Sequence, residues 1–331
     1  MLDTIAEQSV GGTIVTPNRK RRRYGHIVLW LMVIPVALWA VTRVTGLETG
    51  SFGTSIMTAT PFVAAASLLP LVLAAFLRAR AALAVAVAST IMLGFSVLPR
   101  AFGSPDPAVG RPLRILTTNM LFGRADVDHL MDLVRRLRPD VLSAQELTPG
   151  MVERLEEAGL SELLPYNVLE PGAGASGTGL YGRYPMKALP DLFTRIGHHM
   201  PAASMELPGG PPVEIVAVHT YTPLGRQVTA WKRGLAALPP SSPDVVRILA
   251  GDFNASLDHA ALRAVLSRGY VSAADQVGVG LVPTWPAGGS RGAFITIDHV
   301  LVPERVNVLG VNVHDIPDTD HRAIFTDLRV P

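Results

Sequence analysis

The chain has 331 residues, no cysteine, 48% apolar and 17% charged residues, and a formal net charge of +2. Without thiols there are no disulfides, thiolate metal sites or cysteine nucleophiles, so a metal here must take oxygen or imidazole ligands. The pI near 9.1 points to a polyanion only until the charge is divided: residues 1–110 carry nine Lys/Arg against four Asp/Glu, and residues 111–331 carry twenty against twenty-three.

Residues 1–18 are polar and unpatterned and read as disordered. The basic run Arg19-Lys20-Arg21-Arg22-Arg23 belongs to a cytoplasmic tail expected to reach residue 26. Three uncharged apolar runs follow at 27–42, 52–77 and 81–99, each near the ~20 residues that cross a ~30 Å hydrocarbon core. The first extends to Leu47 if Arg43 snorkels to the interface. One such run is compatible with a buried helix or a signal peptide, but three in succession predict three transmembrane helices. The basic run and the Arg78/Arg80 pair prefer the cytoplasmic side. The N-terminus is therefore expected in the cytoplasm, the bundle in the plasma membrane, and everything after residue 100 on the outer face. Segment 100–112, rich in Pro and Gly, reads as a linker to a domain over 113–331.

In that domain short β-branched or apolar runs end in polar residues. Run 115–118 ends at Asn119, 141–144 at Gln145-Glu146, 213–218 at His219, 245–250 at Gly251-Asp252-Phe253-Asn254, and 294–297 at Asp298-His299. Asp320-His321 follows a loop and precedes a closing strand over 323–328. Helix-spaced apolar faces at 127–137, 149–158 and 259–266 alternate with these runs and predict an α/β architecture. Such folds place chemistry on the loops at strand ends.

Asn119 and Glu146 offer the amide and carboxylate oxygens that Mg²⁺ accepts while keeping part of its water shell. Asp252 and Asn254, two apart, pair a proton acceptor with an amide donor, able to align a water and to donate to a phosphoryl oxygen. An Asx-turn capping the next helix is the competing reading of that pair. A carboxylate beside His321 would fix its tautomer and favour the imidazolium, and spacing leaves open whether Asp298 or Asp320 does so. His219 is a candidate acid for the leaving oxygen. His129, His198, His199, His259 and His314 read as structural, and His299 as pointing away from the site. The Gly-rich stretch 172–179 lacks the Gly-Lys-Ser/Thr ending of a phosphate loop and reads as a mobile loop. Thr284-Trp285-Pro286 reads as site lining or as a surface turn.

In order along the chain, Thr118-Asn119, Gln145-Glu146, Gly182-Arg183-Tyr184-Pro185, Val218-His219-Thr220, Gly251-Asp252-Phe253-Asn254, Ile297-Asp298-His299 and Asp320-His321-Arg322 resemble the endonuclease/exonuclease/phosphatase superfamily, the DNase I-like fold. The resemblance implies a two-sheet α/β sandwich, preceded here by the three transmembrane helices. It also implies Mg²⁺ (or Mn²⁺) near Asn119 and Glu146, with Asp320 close to the metal. Asp252 would activate the nucleophilic water, Asn254 would stabilise phosphoryl oxygens, Asp298 would orient His321, and His219 would act on the leaving-group side. Gly182 and Thr319 stand where the family commonly has serine, and no role is carried over to Gly182.

The expectation is a membrane-anchored, metal-dependent phosphoric ester hydrolase. Tethering and the slightly acidic domain favour a lipid head group or a small phosphoester as substrate. An extracytoplasmic nuclease on DNA or RNA and a catalytically silent binding protein are the alternatives. No feature calls for an obligate protein partner.

Overall fold

The computed structural model describes residues 19–288 and 292–331, and the expected disorder of residues 1–18 lies outside the described residues. Helix α1 (Arg19–Thr45) begins inside the basic run, earlier than the expected end of the tail at residue 26. A segmented rod follows: α2 (Gly50–Ile56), a 3₁₀ turn at Met57–Ala59, α3 (Thr60–Ala66) and α4 (Leu68–Phe76). The breaks fall near Pro61 and Pro70, which lack the backbone donor that a continuous ladder needs. Helix α5 (Arg80–Val97) returns alongside. The three rods, Arg23–Thr45, Gly50–Phe76 and Arg80–Ala101, have mean hydropathies of 2.1, 2.0 and 2.2 and are long and apolar enough to cross a membrane.

From Arg111 the order is β1 (Arg111–Asn119), α6 (Val127–Leu137), β2 (Val141–Gln145), α7 (Pro149–Glu157), α8 (Leu160–Leu163), β3 (Tyr166–Glu170), β4 (Thr178–Gly182), β5 (Met186–Ala188), β6 (Ala202–Met205) and β7 (Val213–His219). It continues with α9 (Val228–Ala237), β8 (Val246–Asp252), α10 (Ala260–Leu266), β9 (Tyr270–Ser272), α11 (Ala273–Gln276), β10 (Asp298–Pro303), β11 (Asn307–His314) and β12 (Ala323–Val330). The strands form two six-stranded mixed sheets, ordered β11-β12-β1-β2-β4-β3 and β5-β6-β7-β8-β10-β9. This is the expected two-sheet α/β sandwich.

Alternation along each strand builds its layers, because successive side chains point to opposite faces. Leu113 and Ile115 of β1 meet Ile215, Ile248 and Val300 of the other sheet in the central core. Leu116 and Leu142 face the opposite way, onto Leu130, Met131 and Val134 of α6. Asp126 starts α6 by accepting the His129 N–H at 2.7 Å. On the far side Trp231 of α9 and Leu262 of α10 cover the second sheet around Phe253.

Strand direction gathers the polar ends at one edge. β1 and β2 are parallel, as are β7 and β8, so the C-terminal ends of all four lie together. β10 and β12 run antiparallel to β8 and β1, so their first residues arrive at the same edge. The run 294–297 is therefore not a strand ending at Asp298, as its apolar character predicted. Asp298 opens β10, opposite Asp252, and Ile295 makes only an isolated bridge to Trp285.

One further expectation changes. The Gly-rich stretch is pinned rather than mobile: Gly172 N–H donates to the Leu147 carbonyl at 3.1 Å, and the Gly177 carbonyl accepts the Leu147 N–H at 3.0 Å. A Cβ at Gly177 would overlap the Leu147 carbonyl oxygen, so glycine here permits close approach. The 100–112 segment, read as a linker, packs against the domain. Arg100 is buried with two bonds to Asp258 at 2.6 and 2.9 Å, and Asp106 accepts the Val308 N–H at 2.9 Å.

The rods meet the sandwich through polar contacts. Arg43 does not snorkel; its Nε bonds Asp258 Oδ1 at 2.7 Å, so one buried carboxylate holds arginines from two rods. Glu48 accepts the Ala260 N–H at 2.6 Å and caps α10, whose own N-cap residue His259 supplies no cap. His259 Nε2 instead lies 2.9 Å from the Thr54 carbonyl, a structural role as expected.

Candidate active site

The register sets the site. His219 of β7 lies opposite Asp252 of β8, and Asp252 lies opposite Asp298 of β10. Paired positions share a face, so three functional side chains line up across three adjacent strands. Asn119 and Glu146 come from the ends of β1 and β2 in the other sheet. The sheets are tied there by Ser143, whose hydroxyl donates to the Ala250 carbonyl at 2.9 Å. Gly251 lets the strands close up, since a Cβ there would overlap the Val218 carbonyl oxygen.

Asn119, fully buried, donates through Nδ2 to Glu146 Oε1 and to Asp252 Oδ2, both at 3.1 Å, while its Oδ1 accepts the Leu121 N–H at 3.0 Å. It thus holds the carboxylates of the two sheets together. Glu146 Oε2 accepts the Phe122 N–H at 2.7 Å. Asn254 N–H donates to Asp252 Oδ1 at 2.8 Å, and its Nδ2 donates to the Thr220 carbonyl at 3.0 Å and to Asp252 Oδ2 at 3.3 Å. Thr319 donates to the Asn119 carbonyl at 2.8 Å and accepts the His321 N–H at 3.2 Å, so it anchors the last loop to β1.

Four residues around this centre have left-handed backbone: Leu121 (φ +42), Phe122 (φ +54), Glu146 (φ +55) and Asn254 (φ +47). Each such residue costs about 1–2 kcal/mol, less for Asn, and strain of this kind concentrates at functional sites.

His321 Nδ1 lies 3.1 and 3.0 Å from the two Asp298 oxygens, and its Nε2 lies 3.8 Å from Asp252 Oδ2 and 3.9 Å from Asp320 Oδ1. Asp298 is therefore the orienting carboxylate, the question that spacing left open. Burial pulls the His321 pKa down, but Asp298, Asp252 and Asp320 outweigh it and push it up to about 10. Burial, then Asp298, raises Asp252 to about 7 against His321, Asn254 and Asn119. His219 behaves oppositely: burial, then His198 and His321, holds it well below 6.5. Its Nε2 lies 3.9 Å from both Glu146 and Asp252. At neutral pH the site thus holds a charged imidazole and an uncharged one.

All eight expected residues meet here. Glu146, His219, Asp252, Asn254, Asp320 and His321 line one pocket of about 390 Å³, with Asn119 and Asp298 behind them. His198, read as structural, also lines the pocket and stacks on His219 with ring centroids 4.4 Å apart. It sits in a loop with no pattern to mark it. Trp285 lines the pocket and donates to Asp320 Oδ2 at 2.9 Å, while Thr284 accepts the Asp298 N–H at 3.3 Å. His299 points away, to the Ala255 carbonyl at 2.8 Å.

The donor set fits a hard divalent cation. Asp320 Oδ1 is buried without a hydrogen-bond partner and lies with Asp252 beside the charged His321, while Glu146 is joined to Asp252 through the Asn119 amide. Asp252, Asp298 and His321 also offer ligand atoms within 4.8 Å of one another, but His321 Nδ1 is already engaged by Asp298.

Fold and site together define an α/β sandwich hydrolase with a carboxylate–imidazole centre suited to phosphoesters. The Endonuclease/Exonuclease/phosphatase family model matches residues 116–321, and the chain belongs to that family, whose members are phosphoesterases and typically depend on divalent metals. No curated protein matches the chain. Among solved structures, the endonuclease/exonuclease/phosphatase from Beutenbergia cavernae DSM 12333 aligns with TM-score 0.55 and 19% identity over 66% of this chain and 72% of that one. D. rerio TDP2 complexed with single strand DNA product gives 0.52 and 18% over 66% and 99%. The 3' phosphatase NExo from Neisseria, bound to product DNA hairpin, gives 0.51 and 18% over 65% and 98%. At these identities the likeness speaks for the fold alone. The family match begins after the helical rods.

Proposed function

We propose that the chain is a membrane-tethered, Mg²⁺-dependent (or Mn²⁺-dependent) hydrolase of a lipid head-group or small phosphoester. The observation that carries this reading is the Asp298–His321 pair facing Asp252 within the pocket that Glu146 lines. Asp252, with its pKa raised to about 7, takes the proton of the attacking water near neutral pH. The His321 imidazolium, oriented by Asp298, faces the charge that builds on the phosphoryl oxygens. Uncharged His219 offers an N–H on the leaving-group side. Both Asn254 amide protons are engaged, so it first positions Asp252, and donation to a phosphoryl oxygen requires releasing one bond. Glu146, with Asp320, would hold the ion, which supplies Lewis-acid polarisation of a phosphoryl oxygen, and Asn119, whose oxygen accepts the Leu121 N–H, would position Glu146 through its amide instead of ligating.

The three apolar rods carry the tether, with a tail before the first span, spans within 23–101 and the catalytic domain from Arg111. The basic run and the Arg78/Arg80 turn favour a cytoplasmic N-terminus, and three crossings favour a catalytic domain on the outer face of the plasma membrane. The slight negative charge of residues 111–331 disfavours a nucleic-acid backbone. The DNA products bound to two structural neighbours are the observation on the side of a nuclease.

The test uses the full chain in detergent micelles with Mg²⁺, offered phosphatidylcholine, phosphatidylglycerol, 4-nitrophenyl methyl phosphate and plasmid DNA. Phosphoester cleavage that chelation and Asp252→Asn both abolish is the expected result. Cleavage of DNA alone supports the nuclease, and cleavage of nothing supports a silent binding protein.

A further inference from the structure

The catalytic pocket is not built by the sandwich alone. Ser55 of α2 and Thr58 of the following turn line it beside Glu146 and His321. Their hydroxyls are turned to backbone carbonyls, Ser55 to Pro223 at 3.4 Å and Thr58 to Ser55 at 2.9 Å. Phe122, Leu224, Phe294 and Ile295 add apolar surface to the same wall. A pocket for a small polar phosphoester alone has no use for this wall.

Two further cavities adjoin the site in series. A second cavity of about 280 Å³, between the rods and the sandwich, shares Thr58, Phe294 and Ile295 with the catalytic pocket. That cavity shares Pro61 with a third, a groove of about 830 Å³ on the bundle between α3–α4 and α5. Ala64, Ala65 and Gly94 keep the groove open, and Leu68, Ile91 and Phe95 make its sides apolar. From Thr58 to Leu68 the path follows the second rod for about 15 Å at the helical rise. A lipid-facing groove alone would have no reason to lead back to a catalytic centre.

Building on the hydrolase reading above, we propose that the substrate carries at least one long aliphatic chain. The chain lies in the groove between α3–α4 and α5 and passes Pro61 and Thr58, while its phosphate sits at His321 and Glu146. The rods are then part of the substrate-binding site as well as a tether. Lipid substrate reaches phosphorus chemistry without leaving the apolar zone.

Two esters with one leaving group isolate the chain: 4-nitrophenyl hexadecyl phosphate and 4-nitrophenyl methyl phosphate. In each, the water oxygen bonds to phosphorus, the bond from phosphorus to the nitrophenol oxygen breaks, and the products are the alkyl phosphate and 4-nitrophenol. With the full chain, Mg²⁺ and one detergent throughout, kcat/KM should favour the hexadecyl ester at least 100-fold. Gly94→Leu fills the groove; a Cβ there meets only Leu98 Cδ1 at an ordinary 3.7 Å, and a side chain in place of helical glycine favours the helix. It should lower the hexadecyl-to-methyl ratio at least tenfold with undiminished thermal stability. Ala64→Leu, on the facing helix, is the second filling and should act the same way. Ala81→Leu, exposed in the first turn of α5 and nine residues before Thr90, the first residue of that helix to line the groove, should leave the ratio unchanged. Equal turnover of both esters, or fillings that leave the ratio at the Ala81→Leu value, overturns the chain site while the hydrolase reading stands. Failure to cleave either ester removes both.

Discussion

The sandwich and the bundle use their polar residues in opposite ways. In the sandwich, buried polar groups converge at one edge, where Asn119 bonds Asp252 and His321 bonds Asp298. In the bundle, exposed residues are mostly apolar, and the buried charges Arg43, Glu48 and Arg100 are spent at the end that touches the sandwich. A bundle that served only as an anchor would need no such fixed contacts. The contacts orient the rods so that Ser55 and Thr58 meet the catalytic pocket.

Substitutions on each side sharpen this contrast. The largest effect belongs to the site: Asp298→Asn leaves His321 without its orienting charge and should cut kcat on the order of 10³-fold or more in protein that is still folded at the assay temperature. Steady-state kinetics with a circular-dichroism melt would check it. Glu146→Gln should then raise the Mg²⁺ concentration giving half-maximal rate at least about tenfold, read from a metal titration of activity.

At the junction, Asp258→Ala strands two buried arginines and should destabilise by about 3–5 kcal/mol, seen as a lower Tm. The exposed Arg322–Asp315 pair is the control: Asp315→Ala should change stability by less than about 1 kcal/mol. Equal losses from the two would break the distinction between docking charges and solvated ones.

The smallest effect reverses a sign. Asp275 is raised to about 6 chiefly by burial, so its ionised form opposes folding. Its penalty is absent below the unfolded value near 3.8 and fully present above pH 6. Asp275→Asn should therefore stabilise by roughly 1–2 kcal/mol at pH 7–8, and the gain should vanish at pH 4. Melting curves across that range would show it.

Much of the site was legible because its residues close strands or follow Gly and Asp turn signals, and the ordered set of motifs marked the family. The apolar runs leading to Asn119, Gln145-Glu146, His219 and Asp252 survive in β1, β2, β7 and β8. Asp298 was found with the wrong strand, because an antiparallel strand brings its beginning, not its end, to the shared edge. Long-range facts were not legible. Nothing local marks His198 as the ring that stacks on His219, or Asp258 as the partner of Arg43, 215 positions earlier. Apolar runs announced the rods, but their docking depends on side chains that hydropathy treats as interruptions.

In the proposed reaction one cation and one imidazolium flank the same phosphorus, and anomalous diffraction from crystals of the full chain with Mn²⁺ and phosphate would locate both at once. The expected map has a manganese peak bonded to a Glu146 oxygen, with the phosphate within hydrogen-bond reach of His321 Nε2. A peak at the Asp298–His321 pair instead, or phosphate bound away from His321, would contradict it.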